Sequence, residues 1–223
     1  MISKKCIIII LIILFVYSHF KKYVYIPKEN SIQQIENFTK SGLEEMISSK
    51  NPIIIRNYRS KIKLTNEMLD GAKKNSLFNK ISLKKHSINI LLSPLNFFSK
   101  NYVNYGKKNT KTVIINSLHD RSYIHLHSGI IKCYLFSPNQ INKLYLKKNG
   151  NFVTSQVSMI KPDYRKYPDF KSTEFVEITL RENNLLFLPN YWSYYIEYIE
   201  DSIVMLCTTD TIISKIVTIF HKY

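Results

Sequence analysis

The chain has 223 residues, 45% of them hydrophobic and 13% aromatic, enough apolar surface to offset the entropy of ordering and to fill one core, which excludes an intrinsically disordered protein. Its formal charge of +16 raises nucleic acid and anionic membranes as partners, but the basic residues are scattered from Lys4 to Lys222. No Arg-rich stripe, zinc-finger spacing or RNA-binding motif accompanies them, and nucleic-acid binding is set aside. Cys6, Cys133 and Cys207 contain no Cys-x-x-Cys pair, so neither a zinc knuckle nor a disulfide framework is expected.

The N-terminal stretch "MISKKCIIIILIILFVYSHFKKYVY" runs apolar between lysine pairs and reads as a membrane-targeting segment. Counted as a helix, Cys6 to Phe20 spans about 22 Å against a hydrocarbon core of about 30 Å, which keeps a signal peptide as the alternative. No small-x-small cleavage site follows, and Lys4, Lys5, Lys21 and Lys22 can reach the headgroups, so a retained single-pass anchor over residues 1–27 is the expectation, followed by one domain over 28–223. The lysines balance on the two sides and leave the orientation open.

Ser31 to Ile47 reads as an amphipathic helix weakened by Gly42, and "PIIIRNY", Pro52 to Tyr58, as a buried strand. Thr65 can cap a short helix, Ile81 to Leu92 is strand-like, and "SPLNFFSK" suggests a second helix with Ser93 as N-cap and Pro94 in its first turn. From Lys111 the pattern changes to short β-branched and aromatic runs between polar turns: "KTVIIN", "YIHLH", "IIKCYLF", "FVEITL", "NLLFLP", "YYIEYI" and "SIVMLCTT". Such spacing predicts an antiparallel double-sheet barrel of the jelly-roll type, closed by a C-terminal helix from Thr211 to His221 that can either cap the barrel or form a homodimer.

Four stretches in order carry a family resemblance: "NPIIIRNY", "SGIIKCYLFSPNQINKLYL", "PDYRKYPDF" and "EITLRENNLLFLPNYWSYYIEYIEDSIVM". Together they resemble the cupin-like and JmjC-type 2-oxoglutarate oxygenases, in particular the branch containing the asparaginyl hydroxylase of hypoxia sensing, over roughly residues 30 to 222. The resemblance implies a double-stranded β-helix, with Trp192 as an aromatic anchor at a strand corner. It also implies Fe(II) held by a His-x-Asp pair and a distant His, with positions open for 2-oxoglutarate and oxygen.

Aligned on Gly129 and Trp192, the ligand positions fall on Asn116, Leu118 and Tyr194, and the lysine that pairs with the 2-oxoglutarate carboxylate falls on Ile131. Leu118 has no donor atom, Asn116 is a poor substitute for imidazole, and a neutral phenol with a pKa near about 10 binds Fe(II) weakly. The expectation is a membrane-anchored pseudoenzyme that binds a small polar ligand or a protein, or builds a structure, with no metal and no cofactor. Asn116, Leu118, Ser122, Ile131, Trp192 and Tyr194 would line the former pocket, or Tyr194 would fill it.

Two alternatives remain open. One is a hydroxylase dependent on Fe(II) and 2-oxoglutarate, with an atypical ligand set around Asn116, His119 or His125. His125 and His127, two apart on one strand face, could also chelate a metal or serve a solvated or interface role. The other alternative is a structural membrane protein of a large DNA virus, suggested by the over-use of Lys, Asn and Ile that an AT-rich genome produces.

Overall fold

The run Leu185 to Pro189 contains no polar side chain and is buried along its whole length, which marks it as a strand covered on both faces. A computed structural model places it centrally in one of two packed sheets, and describes residues 4–27, 31–36, 39–58, 64–65, 69–70, 72–73, 79–81, 97–149 and 152–220.

In chain order the strands are β1 (Gln33–Ile35), β2 (Ile53–Ile55), β3 (Asn79–Ile81), β4 (Phe98–Gly106), β5 (Ile115–Asn116), β6 (Arg121–Ser128), β7 (Ile130–Phe136), β8 (Leu146–Asn149), β9 (Phe152–Ser155), β10 (Val176–Arg181), β11 (Leu185–Pro189), β12 (Ser193–Tyr198) and β13 (Ser202–Asp210). The helices are α1 (Lys4–Val24), α2 (Lys40–Ser48) and α3 (Ile212–Phe220). A seven-stranded sheet runs β1-β2-β11-β6-β13-β4-β3, and a six-stranded sheet runs β10-β7-β12-β5-β9-β8. Apart from the parallel β1–β2 pair, the pairings are antiparallel, the arrangement of a double-sheet jelly-roll barrel.

Period-two alternation divides each strand between two environments. Ile115, Ile131, Cys133, Leu135, Tyr194, Ile196 and Tyr198 from the smaller sheet meet Tyr102, Ile124, Leu126, Leu186, Leu188, Val204 and Leu206 from the larger one, and fill the barrel. On the outer face of the larger sheet, Tyr123, Leu185, Phe187 and Cys207 pack under Leu43 and Ile47 of α2. Outside the smaller sheet, Phe136 and Tyr195 join Ile114, Leu144, Val157 and Phe170. Cys133 and Cys207 lie in different sheets and are free thiols.

The hairpin between β6 and β7 turns at Gly129, whose φ of +90° is left-handed. A Cβ built there would lie 2.2 Å from Ser202 Oγ and 2.6 Å from the Asp201 carbonyl, so two independent constraints require glycine.

Several expected boundaries change. Ser31 to Ile47 is not one helix: Gln33–Ile35 pairs in parallel with Ile53–Ile55, and α2 starts only after Thr39, whose hydroxyl accepts from the Gly42 N–H at 3.1 Å. The helix expected from Ser93 gives way at Phe98, where β4 begins, because β13 offers that segment a nine-residue partner. Ser93 and Pro94 themselves, and most of the strand expected from Ile81 to Leu92, lie outside the described residues. The hairpin β8–β9 was hidden by its polar outer residues, Lys147, Lys148 and Asn149. Helix α1 is longer than the apolar run, and its 21 residues at 1.5 Å each span about 32 Å, enough to cross a membrane. Its apolar side chains from Ile7 to Tyr17 are exposed, and α3 packs beside its C-terminal half.

Candidate functional site

Strand β12 pairs with β5 on one side and β7 on the other, so that Ser193 stands opposite Asn116 and Phe136, and Tyr194 opposite Ile115 and Leu135. Cross-strand partners share a face. Tyr194 therefore points into the barrel, and Asn116 points out of it, where its Nδ2 donates to Ser193 Oγ at 2.8 Å and to the Tyr191 carbonyl at 3.0 Å.

Tyr194 is 1% exposed, and burial pushes its phenol well above the usual tyrosine range; its hydroxyl has no hydrogen-bond partner among the described residues. Leu118 follows β5, and its carbonyl accepts from the Tyr23 hydroxyl of α1 at 2.7 Å. Ile131 is fully buried in the barrel. Ser122 faces inward near the barrel end, where its Oγ lies 2.6 Å from Ser117 Oγ. Trp192 anchors the corner, and its Nε1 donates to the Lys50 carbonyl at 3.2 Å.

The six positions therefore do not form one lining: Ile131 pairs with Tyr198, four residues along β12 from Tyr194. Ile131 and Tyr194 are barrel filling, Asn116 is turned outward, and Leu118 is held against α1. A ferrous ion does not fit the three positions given by the resemblance: one side chain faces away, one is aliphatic, and one is a phenol kept protonated by apolar surroundings. His119 is occupied elsewhere, with its Nδ1 2.7 Å from Asp210 Oδ2. His125 lies in register with Leu185 and Met205 on the outer face of the larger sheet, against Tyr58 and His127. Among the described residues no three His, Cys, Asp or Glu side chains gather as a metal site.

The polar chemistry is concentrated instead at one end of the barrel, beneath α1. Lys50 adopts a left-handed φ of 59° and is 7% exposed, with Nζ 2.5 Å from Asn190 Oδ1 and 4.0 Å from Asp120 Oδ1. Burial brings its ammonium down to about 8, against the attraction of Asp120. Asn190 Nδ2 donates onward to the Tyr23 carbonyl at 2.7 Å, so Lys50, the β11–β12 corner and the end of α1 form one connected unit.

Beside it, Arg121 grips Glu44 of α2 with two hydrogen bonds of 2.8 and 2.7 Å. Burial opposes the guanidinium charge, but these bonds outweigh it and hold the group above its ordinary value. Asp210 at the start of α3 carries the third ionic contact. Burial works against its charge, yet the hydrogen bond from His119 and the Lys215 ammonium at 2.7 Å hold the carboxyl at about 2. Of these groups, Glu44, Lys50, Asp120 and Arg121 frame a cavity of about 320 Å3 that also reaches His19 and Lys22 of α1.

Sequence reasoning passed over Lys50, Glu44, Arg121 and Asn190. The available signals were local: an arginine opening the strand-like run before Tyr123, and an asparagine between Pro189 and Tyr191.

Residues 119–207 match a family model described as a cupin-like domain. Over 63 residues the chain is 38% identical to JmjC domain-containing protein D of Dictyostelium discoideum, covering 27% of this chain and 14% of that protein. It is 28% identical to human HSPB1-associated protein 1 over 75 residues, covering 32% and 15% respectively. The match thus spans about a seventh of the length of these curated relatives. A hydroquinone 1,2-dioxygenase from a Sphingomonas species superposes with a TM-score of 0.41 at 8% identity, over 71% of this chain and 84% of that one. The two sheets thus contain a stretch, residues 119–207, that is similar to cupin-like domains, and part of the chain is similar to JmjC-domain proteins.

Proposed function

We propose that the chain is a membrane-anchored cupin-like module that acts by binding or by building a structure, and that its barrel no longer performs iron chemistry. The observation that carries this reading is Tyr194, which occupies the barrel interior as a closely packed, protonated phenol where the resemblance puts a metal-binding imidazole. Flanked by Ile115 and Leu135 on the neighbouring strands, it leaves the barrel centre apolar. The accessible polar chemistry lies at the barrel end against α1, where Lys50, Asp120 and Arg121 border a cavity. The apolar exterior of α1, about half exposed along Ile7 to Tyr17, supports a membrane as its surroundings.

The test uses the 223-residue chain purified in mild detergent under anaerobic conditions with added Fe(II), followed by metal analysis and by succinate formation from 2-oxoglutarate. Iron at background and no succinate are expected. One iron per chain with peptide-stimulated succinate release would replace this reading with a hydroxylase.

A further inference from the structure

Two cavities lie between the last turns of α1 and the rest of the described fold. The first is the polar cavity of about 320 Å3 bordered by Lys22, Lys50, Asp120 and Arg121. The second is an apolar groove of about 540 Å3 between Val16, Phe20 and Val24 of α1 and Ile213, Ile216 and Val217 of α3. They share Ile213, and between them stands one aromatic pair: Tyr23 lines the polar cavity, Tyr191 lines the groove, and their rings meet edge to face at 5.7 Å.

We propose that these cavities are the two halves of one site for an anionic glycerophospholipid taken from the surrounding leaflet, its phosphate beside Lys22 and Lys50 and an acyl chain in the groove between α1 and α3. The proposal rests on the reading of α1 as a membrane span. Three observations carry it further.

Position is the first. A helix of about 32 Å matches a hydrocarbon core of about 30 Å, so the turn containing Lys21 and Lys22 lies at headgroup depth, where both cavities open. Charge is the second. Arg121 is neutralised by its two bonds to Glu44, and Asp120 is shared between Arg121 at 3.9 Å and Lys50 at 4.0 Å. Lys22 has no carboxylate within salt-bridge distance among the described residues, and the nearest partner of Lys50 is the neutral Asn190. The cavity thus carries more cationic than anionic side chains, and a phosphate would supply the missing counter-charge to a buried ammonium.

Chemistry of the groove is the third. Its named walls are wholly aliphatic and aromatic, whereas the adjoining cavity is bordered by charges, and a phospholipid presents that sequence of surfaces from acyl chain to headgroup. Ile212, about half exposed on α3, extends the apolar surface beyond the groove and leaves α3 at the bilayer edge.

The test reconstitutes the 223-residue chain in phosphatidylcholine nanodiscs with and without phosphatidylglycerol, and counts lipids retained per chain by native mass spectrometry after release into detergent. Retention of one phosphatidylglycerol is expected. Lys22→Gln, an exposed change that leaves the fold intact, and Lys50→Met should each lower that retention about tenfold, and Val217→Trp should abolish it by filling the groove. Equal retention of phosphatidylcholine, retention unchanged in Lys22→Gln and Val217→Trp, or displacement of the lipid by inorganic phosphate alone would overturn the proposal. Alkaline carbonate extraction of the same membranes reads the anchor separately. Release of the chain by carbonate would defeat the membrane-span reading and this site with it, whereas a retained chain with no bound phosphatidylglycerol would defeat the site alone.

Discussion

Asn116 stands opposite Ser193 in the register of β5 and β12, and this turns it to the other side of the sheet from Tyr194. Restoring imidazole and carboxylate by sequence position would therefore not restore convergence. The combined variant Asn116→His, Leu118→Asp, Tyr194→His should bind Fe(II) no better than the parent chain, as read by metal analysis after gel filtration. Stoichiometric iron in that variant would require β5 to shift by one residue, which exchanges every inward and outward side chain of the strand.

The Tyr194 hydroxyl has a different consequence. It is buried and without a hydrogen-bond partner among the described residues, a condition that costs about 1 to 3 kcal/mol. Tyr194→Phe keeps the ring beside Ile115 and Leu135 and deletes only that oxygen. Chemical denaturation should show a midpoint equal to or above that of the parent chain. By contrast, Tyr194→Ala should lose about 3 to 5 kcal/mol through the cavity it leaves. A clear loss in Tyr194→Phe would mean that the hydroxyl is hydrogen-bonded to a ligand or a water.

His125 should dominate the response to mild acid. Burial, with His127 adding to it, lowers its pKa from 6.5 to about 4, and neither ring nitrogen has a partner among the described residues. The unfolded chain therefore takes up a proton between pH 6.5 and about 4 that the folded chain refuses, and stability falls as pH falls through that window, by about 3 kcal/mol in all. His125→Phe should flatten the dependence, measured as denaturation midpoint against pH. Asp210 acts lower. Its carboxyl is depressed from 3.8 to about 2, so the stability it contributes is present above 3.8 and lost only below that, and the two steps separate on the pH axis.

Much of the barrel was legible because its strands announce themselves locally. "NLLFLP" and "SIVMLCTT" are apolar runs between turn residues. What escaped depends on partners remote in sequence. Phe98 to Lys100 reads as helix after Ser93-Pro94 until Thr208 to Asp210 pairs with it across more than a hundred residues. The polar cluster was illegible for the same reason: Lys50, Arg121 and Asn190 are ordinary surface-type residues in the sequence and become a site only when β2, β6 and the β11–β12 corner converge. The outward turn of Asn116 was equally hidden. A two-residue strand gives no alternation to count, and its facing is set by β12.

The Arg121–Glu44 pair ties α2 to the first residue of β6, and the energetics of that link can be isolated. Arg121 is 7% exposed, so removing Glu44 leaves a guanidinium that cannot rehydrate in place, whereas removing Arg121 leaves a carboxylate that is more accessible to water. Breaking a buried pair from one side costs about 3 to 5 kcal/mol, and the partial exposure of Glu44 places this pair at or below the lower end of that range. Glu44→Gln should therefore destabilise more than its modest chemistry suggests. Arg121→Met, which removes the charge while retaining apolar volume, should recover part of that loss when the two changes are combined. Urea denaturation of the four species at pH 7 gives the coupling energy, expected at about 1 to 3 kcal/mol. A coupling near zero would mean that α2 is held only by Leu43 and Ile47 against Tyr123 and Phe187, and that the ion pair serves the adjoining cavity rather than the fold.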